Sequence, residues 1–359
     1  MTVNLGPQHP STHGVLRLVV ELDGEVVRTC RPVIGYLHRG LEKMFEARPF
    51  RQNVPFTDRM DYLASLNSNL AMSQAIERLG GIEVPERAQY IRVFLCELNR
   101  IASHLVFLGT FATDLGATTV FLYAFRSRER ALDLLEMITG ARLTYNWIRP
   151  GGVPDDLPEG LRERTEAYLD ELQFELDEVD RLLTGNRIFR ARCEGVGVLT
   201  REMALAYAAS GPVARGSGIP FDLRKAEPYE VYDRLEFDVP VRTEGDVAAR
   251  YLVRMEEMRQ SARIMRQCLR DMPEGEVATR LPKVFKPPAG WAFSRTESPR
   301  GELSFFIVSD GGTHPVRCHA RTPSFVHLML LPELLKGVKI ADVIAILGSL
   351  DTVLGEVDR

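Results

Sequence analysis

Apolar and polar positions alternate from Val15 to Val33 on both sides of Asp23-Gly24. Alternation with a period of two marks half-buried strands, and Asp-Gly suits a type I′ turn because both residues tolerate positive φ. A β-hairpin is predicted there. From Thr57 the period becomes helical: a threonine cap followed by Asp58 and Arg59 opens a run to Leu79 that Gly80-Gly81 closes. Further helices are predicted from Pro85 to Phe111, from Thr118 to Thr139 with a stop at Gly140, and from Leu157 to Leu183 ending at Gly185. A fifth, Val247 to Met272, carries charge pairs at i, i+4. Leu303 to Val308, the turn Asp310-Gly311-Gly312 and His314 to Arg321 read as a second hairpin, and Leu334 to Leu347 as a last helix.

Four long helices joined by short connections predict a central antiparallel bundle, with the fifth packed against it. The fold class is therefore α+β, a long-helix bundle with small N-terminal and C-terminal β-sheets. The regions are 1–55 (hairpin and loop), 56–275 (mainly helical) and 276–359 (α+β), without a linker of low complexity between them.

Composition narrows the function. The 359 residues exceed the size at which a single core usually stops growing. A net charge of -4 argues against a nucleic-acid binder and leaves small molecules and proteins as partners. Lysine occurs only at 43, 225, 283, 286, 336 and 339, so arginine carries the positive charge. Its bidentate contacts suit a chain that lives among partners. Cys30, Cys96, Cys193, Cys268 and Cys318 form no CxxC pair and read as reduced thiols. The chain opens with no signal-peptide pattern. The most apolar region, 101–125, is interrupted by His104 and Asp114 and reads as buried helix rather than a membrane span.

Three stretches carry candidate chemistry. In "GPQHPSTHG", His9 and His13 stand four apart, but Pro10 and Gly14 argue for a loop, and metal binding at that spacing needs a helix. A structural loop and an acid-base role both remain open. In "TDRMDYLASL", Arg59, Asp61 and Tyr62 cluster at a predicted helix start; the phenol is protonated at neutral pH and can donate. A half-buried core tyrosine is the plainer alternative. In "TDLGATTVF", Asp114 ends an apolar helix, where a carboxylate needs a partner or serves as a cap.

Together with "GYLHRGLEKM", "GARLTYNWIRPGGV", "VYDRLEFDVPV", "EEMRQS" and "LGEVDR", these segments resemble the D-subunit family of proton-pumping NADH:quinone oxidoreductase, respiratory complex I, over the whole chain. That family is more distantly similar to the large subunit of nickel-iron hydrogenases, which implies a hydrogenase-large-subunit-like fold. In the hydrogenases two cysteine pairs hold the metal. The corresponding places here are Asp61 with Ala64 and Val353 with Glu356, so no thiolate is offered to nickel or iron.

The resemblance implies a cavity that receives a quinone, ubiquinone or menaquinone, as substrate. His13 and Tyr62 would bind its headgroup, Val353 would line the site, and Asp114 would partner His13 and raise its pKa. His9 would shape the loop. The electrons would come from a [4Fe-4S] cluster of the neighbouring B subunit, with Arg39, Arg59 and Asp61 near it, because this chain has no cluster-binding cysteine spacing. No metal would be bound by this chain. Many relatives carry a titrating histidine where this chain has Thr144, so proton-coupled cluster reduction is not carried over, and a lower, pH-independent potential is implied. Partners would be the B and C subunits of complex I and the H subunit of its membrane arm. The location would be peripheral on the cytoplasmic side of a bacterial inner membrane, with proton translocation only in the assembled complex. The alternatives are a metal-containing hydrogenase-like subunit and a catalytically silent scaffold.

Overall fold

The computed structural model describes residues 1–8 and 15–359. The chain begins with a three-stranded antiparallel sheet of β1 (Thr2–Leu5), β2 (Arg17–Asp23) and β3 (Val26–Val33), in that spatial order. The predicted hairpin is β2–β3, but Asp23 pairs with Val26, so the turn residues are Gly24 and Glu25. Of these two only Gly24 has positive φ (61°), the pattern of a type II′ turn rather than the type I′ expected from Asp-Gly. A register shift between Glu21 and Leu22 moves the turn by one residue.

Two short helices follow, α1 (Leu41–Glu46) and α2 (Val54–Thr57). The long helices are α3 (Ser65–Gly80), α4 (Glu86–Asp114), α5 (Thr118–Thr139) and α6 (Leu161–Val179), the last continued by a π turn over Asp180–Thr184. Four short helices, α7 (Arg187–Cys193), α8 (Arg201–Ala206), α9 (Gly211–Arg215) and α10 (Leu223–Ala226), lead to α11 (Val247–Asp271). Each expected long helix exists; α5 has the expected ends, and the others are shifted at one or both ends. The largest shift is at α3, which starts at Ser65 rather than next to Thr57. The region 101–125 is divided between α4 and α5, which turn at Leu115–Ala117. Among the described residues no helix is long and apolar enough to cross a membrane.

The bundle consists of α4, α5, α6 and α11, not of the first four long helices. Helix α3 lies instead on the C-terminal sheet, where Ala71, Met72, Ala75 and Ile76 pack against Leu303, Phe305 and Ile307. That sheet has three strands, β4 (Gly290–Ser298), β5 (Gly301–Ser309) and β6 (Arg317–Arg321), in sequence order. The predicted hairpin is β5–β6. Strand β4 is an addition to the elements expected from the sequence, and its tight connection to β5 is Pro299-Arg300. The chain closes with α12 (Pro323–Leu328), α13 (Leu331–Leu334), α14 (Ile340–Leu350) and α15 (Leu354–Asp358). The helix expected over 334–347 is α14, which starts later, at Ile340, after a turn at Gly337 with φ 80°.

The arginine bias has an internal explanation. Arg92, Arg100, Arg215, Arg224, Arg250, Arg254 and Arg300 are fully buried; four of them lie on the bundle helices α4 and α11, and the others on α9, α10 and the β4–β5 turn. Glu97 accepts from Arg100 (3.2 Å), Arg224 (3.1 Å), Tyr232 (2.6 Å) and Ser261 (2.6 Å). Glu257 accepts from Arg215 (2.6 Å) and is bonded to His104 Nε2 at 2.9 Å. Burial alone would raise these carboxyls, but Arg100 and Arg224 hold Glu97 down at about 2. Arg215 and His104 likewise keep Glu257 well below its usual value. Buried charges are tolerated when each is multiply hydrogen-bonded in this way.

Candidate functional site

Residues 58–64 form a series of tight turns between α2 and α3 rather than the helical start expected from Thr57. The cause is local. Asp61 Oδ1 accepts from the backbone N–H of Leu63 (3.1 Å) and Ala64 (3.2 Å), a side-chain-to-backbone pattern that competes with helix. Two asparagines fasten the stretch. Asn69 on α3 donates to Asp58 (2.8 Å) and to Thr57 Oγ1 (3.0 Å). Asn99 on α4 accepts from Leu66 N–H (3.1 Å) and donates to the Leu63 carbonyl (2.9 Å).

The C-terminal segment lies directly on this turn. A Cβ added at Gly355 would stand 2.6 Å from the Met60 carbonyl oxygen and 3.1 Å from Tyr62 Cε1, so only glycine allows α15 to approach so closely. Arg300, at the tip of the β4–β5 hairpin, enters between the two segments. Its Nη1 donates to Asp61 Oδ2 at 2.6 Å and to Ser103 Oγ at 3.1 Å, and Nη2 lies 3.5 Å from Asp351 Oδ1. Asp351 adopts φ 53° at the end of α14, which turns the chain back toward the site. Arg254 stands 3.8 Å from its other oxygen.

Glu356 is fully buried. Its Oε1 accepts from Ser324 N–H at 3.0 Å, and Ser324 Oγ in turn accepts from Val353 N–H at 3.1 Å. Burial first, then the charge of Asp61, raises Glu356 to about 8 against the pull of Arg300. Burial also raises Asp61, but the 2.6 Å ion pair and two backbone donors favour its anion, so the proton of the pair resides on Glu356. Tyr62 is half-buried, and burial followed by the charge of Asp61 pushes its phenol up.

Around the rim, Arg39 and Arg59 are exposed. Arg39 Nη2 donates to the Arg59 carbonyl at 2.5 Å, and Arg59 Nη1 donates to the Pro55 carbonyl at 2.7 Å. The Arg39 guanidinium thus rests on the backbone of the turn that carries Arg59 and Tyr62. A cavity of about 790 Å³ opens nearby in the sequence but not at Tyr62; Arg48, Arg51, Arg149 and Lys283 line it. The convergence of groups marks the Tyr62 turn, whereas this cavity is marked by its size alone.

The match of residues 114–359 to the family model of the respiratory-chain NADH dehydrogenase 49 kDa subunit covers α5 to α15, including Arg300 and the C-terminal segment. The chain belongs to that family. It is 53% identical over 356 residues to the D subunit of NADH-quinone oxidoreductase from Desulforamulus reducens, covering 99% of this chain and 97% of the relative. It is 52% identical over 358 residues to the protein of the same name in Dehalococcoides mccartyi, covering 99% and 98%. The Geobacillus kaustophilus protein of that name is 52% identical over 359 residues, covering 100% and 98%. The α+β architecture, with a helix bundle and a small sheet toward each end, is the fold of this 49 kDa family.

Of the residues singled out in the sequence, Arg39, Arg59, Asp61, Tyr62, Ala64, Val353 and Glu356 belong to one locality, joined by the contacts above. Asp114 lies at the other end of the C-terminal segment: its Oδ2 is 3.8 Å from where a Cβ on Gly348 would stand. His9 and His13 lie outside the described residues. Thr144 has φ 53°, a costly conformation for a β-branched residue, in the loop that also places Asn146 against Asp58. Sequence reasoning missed Arg300, Asp351 and Ser324. The only signal for Arg300 was its place in "SPRGE", a tight turn with no charge partner evident in the sequence. Among the described residues no three His, Cys, Asp or Glu side chains are grouped to hold a metal.

Proposed function

We propose that this chain is the peripheral-arm subunit of a complex I type NADH:quinone oxidoreductase, and that with the B subunit it forms the site where quinone is bound and reduced. The observation that carries this reading is the seating of Tyr62 on Gly355. The two frames that hold metal in the distantly similar hydrogenases lie against each other; two carboxyls, an alanine and a valine stand where thiolates would be needed, with the Tyr62 phenol and Arg300 beside them. Reducing a quinone to a quinol takes two electrons and two protons. Tyr62 supplies one hydrogen-bonding proton donor, and His13, made more basic by Asp114, supplies the other. Val353 contributes the apolar wall. The electrons come from a [4Fe-4S] cluster in the B subunit, near which the Arg39 and Arg59 charges favour the reduced form. Contacts with the C and H subunits carry the chain to the cytoplasmic face of the membrane, and the free energy of reduction drives proton translocation in the assembled complex only.

The test is made on that complex. Tyr62→Phe and His13→Ala are each expected to lower quinone reductase kcat/KM by about 10²-fold, because each removes a donor that acts in the transition state. Wild-type rates in both variants would leave this chain a silent scaffold.

A further inference from the structure

The buried groups behind Tyr62 are more than the binding of a quinone requires. Glu356 has one oxygen tied to Ser324, while Oε2 has no hydrogen-bond partner although it is buried. Asp351 Oδ2, Thr352 Oγ1 and Arg254 Nη2 share this condition. Unpaired polar atoms are costly in a core; three of these four belong to the C-terminal segment, and Arg254 stands 3.8 Å from Asp351. This segment abuts the site: a Cβ on Gly355, next to Glu356, would stand 3.1 Å from Tyr62 Cε1, and the charge of Glu356 bears on the Tyr62 phenol.

We propose that Glu356 is the proton reservoir behind Tyr62, reloading the phenol after each quinone reduction. The inference rests on the reading above, in which Tyr62 gives its proton to the reduced quinone. The step balances as Tyr62 phenolate plus Glu356 carboxylic acid yielding Tyr62 phenol plus Glu356 carboxylate. No electron moves in it, and solvent returns a proton to Glu356 before the next turnover. The direction is downhill, since a carboxyl at about 8 is a stronger acid than a phenol raised above its ordinary 10.

The groups around Glu356 agree with this role. From the turn before α3 come Asp61, whose charge keeps the proton on Glu356, and Tyr62 itself. From the β4–β5 tip comes Arg300, which is engaged by Asp61 and Asp351. Helix α12 offers the Ser324 N–H and carries His327, which burial and Arg254 depress to about 3, so it stays neutral. The loop after β3 brings His38 to the Asp358 carbonyl (2.6 Å) and the Arg39 N–H to the Arg359 carbonyl (3.1 Å). Asp358 is occupied by the Gly35 and Leu37 N–H groups, and Arg359 by the Ala320 carbonyl. Glu356 is thus the group positioned to hold a proton at neutral pH.

The experiment compares Glu356→Gln with wild type in the assembled complex, measuring quinone reductase kcat and KM across neutral and alkaline pH. Wild-type kcat should fall as pH rises through about 8, the point at which Glu356 loses its proton. Glu356→Gln is expected to lower kcat by about 10²-fold with KM little changed, and to abolish that alkaline limb. An unchanged kcat, or a lowered kcat with the limb intact, overturns the proposal. Should Glu356→Gln fail to assemble, Glu356→Asp keeps the acid on a shorter arm and should move the limb; an unmoved limb overturns the proposal equally. Tyr62→Phe separates the two readings. If it is inactive while Glu356→Gln behaves as wild type, only the reservoir fails; if it retains full activity, the quinone reading fails first.

Discussion

Single side chains decide what the Tyr62 turn can do. Asp61 pairs with Arg300 at 2.6 Å and accepts from two backbone N–H groups, so its carboxylate is held in one orientation inside the turn. At Asp114 the outcome is a matter of sign. On the proposed pairing, in which the Asp114 carboxylate stabilises the His13 imidazolium, Asp114→Asn is expected to lower the apparent pKa of His13. Titration of the His13 ring by NMR in wild type and variant checks this, and an unmoved pKa would remove Asp114 from the site. Thr144 offers no titrating group at all, and its positive φ shows that the loop conformation is imposed on the residue by its surroundings.

Among the elements, the turn at 58–64 shows how context overrides propensity. "TDRMDYLASL" has the cap and spacing of a helix start, yet the helix begins only at Ser65 because Asp61 takes two backbone N–H groups and α15 fills the space alongside. The turn is held by Asn99 on α4, which satisfies one donor and one acceptor of the segment. Asn99→Ala leaves a buried N–H and a carbonyl unpaired and should destabilise the chain by about 1–3 kcal/mol. It should also displace Tyr62 and reduce quinone turnover in the complex. Urea unfolding together with activity would show both effects, and stability lost without activity would mean that the turn holds its shape unaided. The helix period was readable for α4, α5, α6 and α11 because each has a long apolar face. Strand β4 was not, since residues such as Ser294, Thr296, Glu297 and Ser298 are buried there yet read as polar.

Across the whole molecule, the buried ion network sets the dependence of stability on pH. Glu97 and Glu257 have folded values below the ordinary 4.5, so their stabilisation is fully present above about 4.5 and is lost as pH falls toward about 2. Glu356 has a raised value and acts with the opposite sign: its contribution is complete below 4.5 and lost as pH rises through about 8. Stability should therefore decline in both directions from a maximum between these limits. Glu257→Gln leaves Arg215 short of its closest carboxylate and should cost about 3–5 kcal/mol near neutrality, with a flatter acid limb. Denaturation followed from acid to mildly alkaline pH measures this; an unaltered acid limb would mean that Glu257 is protonated in the fold.

Composition and periodicity by themselves determined an α+β chain with long amphipathic helices, an N-terminal hairpin and a C-terminal one, while the pointer to the family came from the resemblance of its ordered motifs. These properties are local, because a helix or a hairpin records its own burial pattern in residues a few positions apart. The tertiary structure alone decided that α3 belongs to the sheet and not to the bundle, that seven arginines are buried, and that Arg300 joins Asp61 to Asp351. The two partners of Arg300 stand 51 and 239 positions away in the chain, and the energy of a buried charge is fixed by what surrounds it in space rather than by its neighbours in sequence.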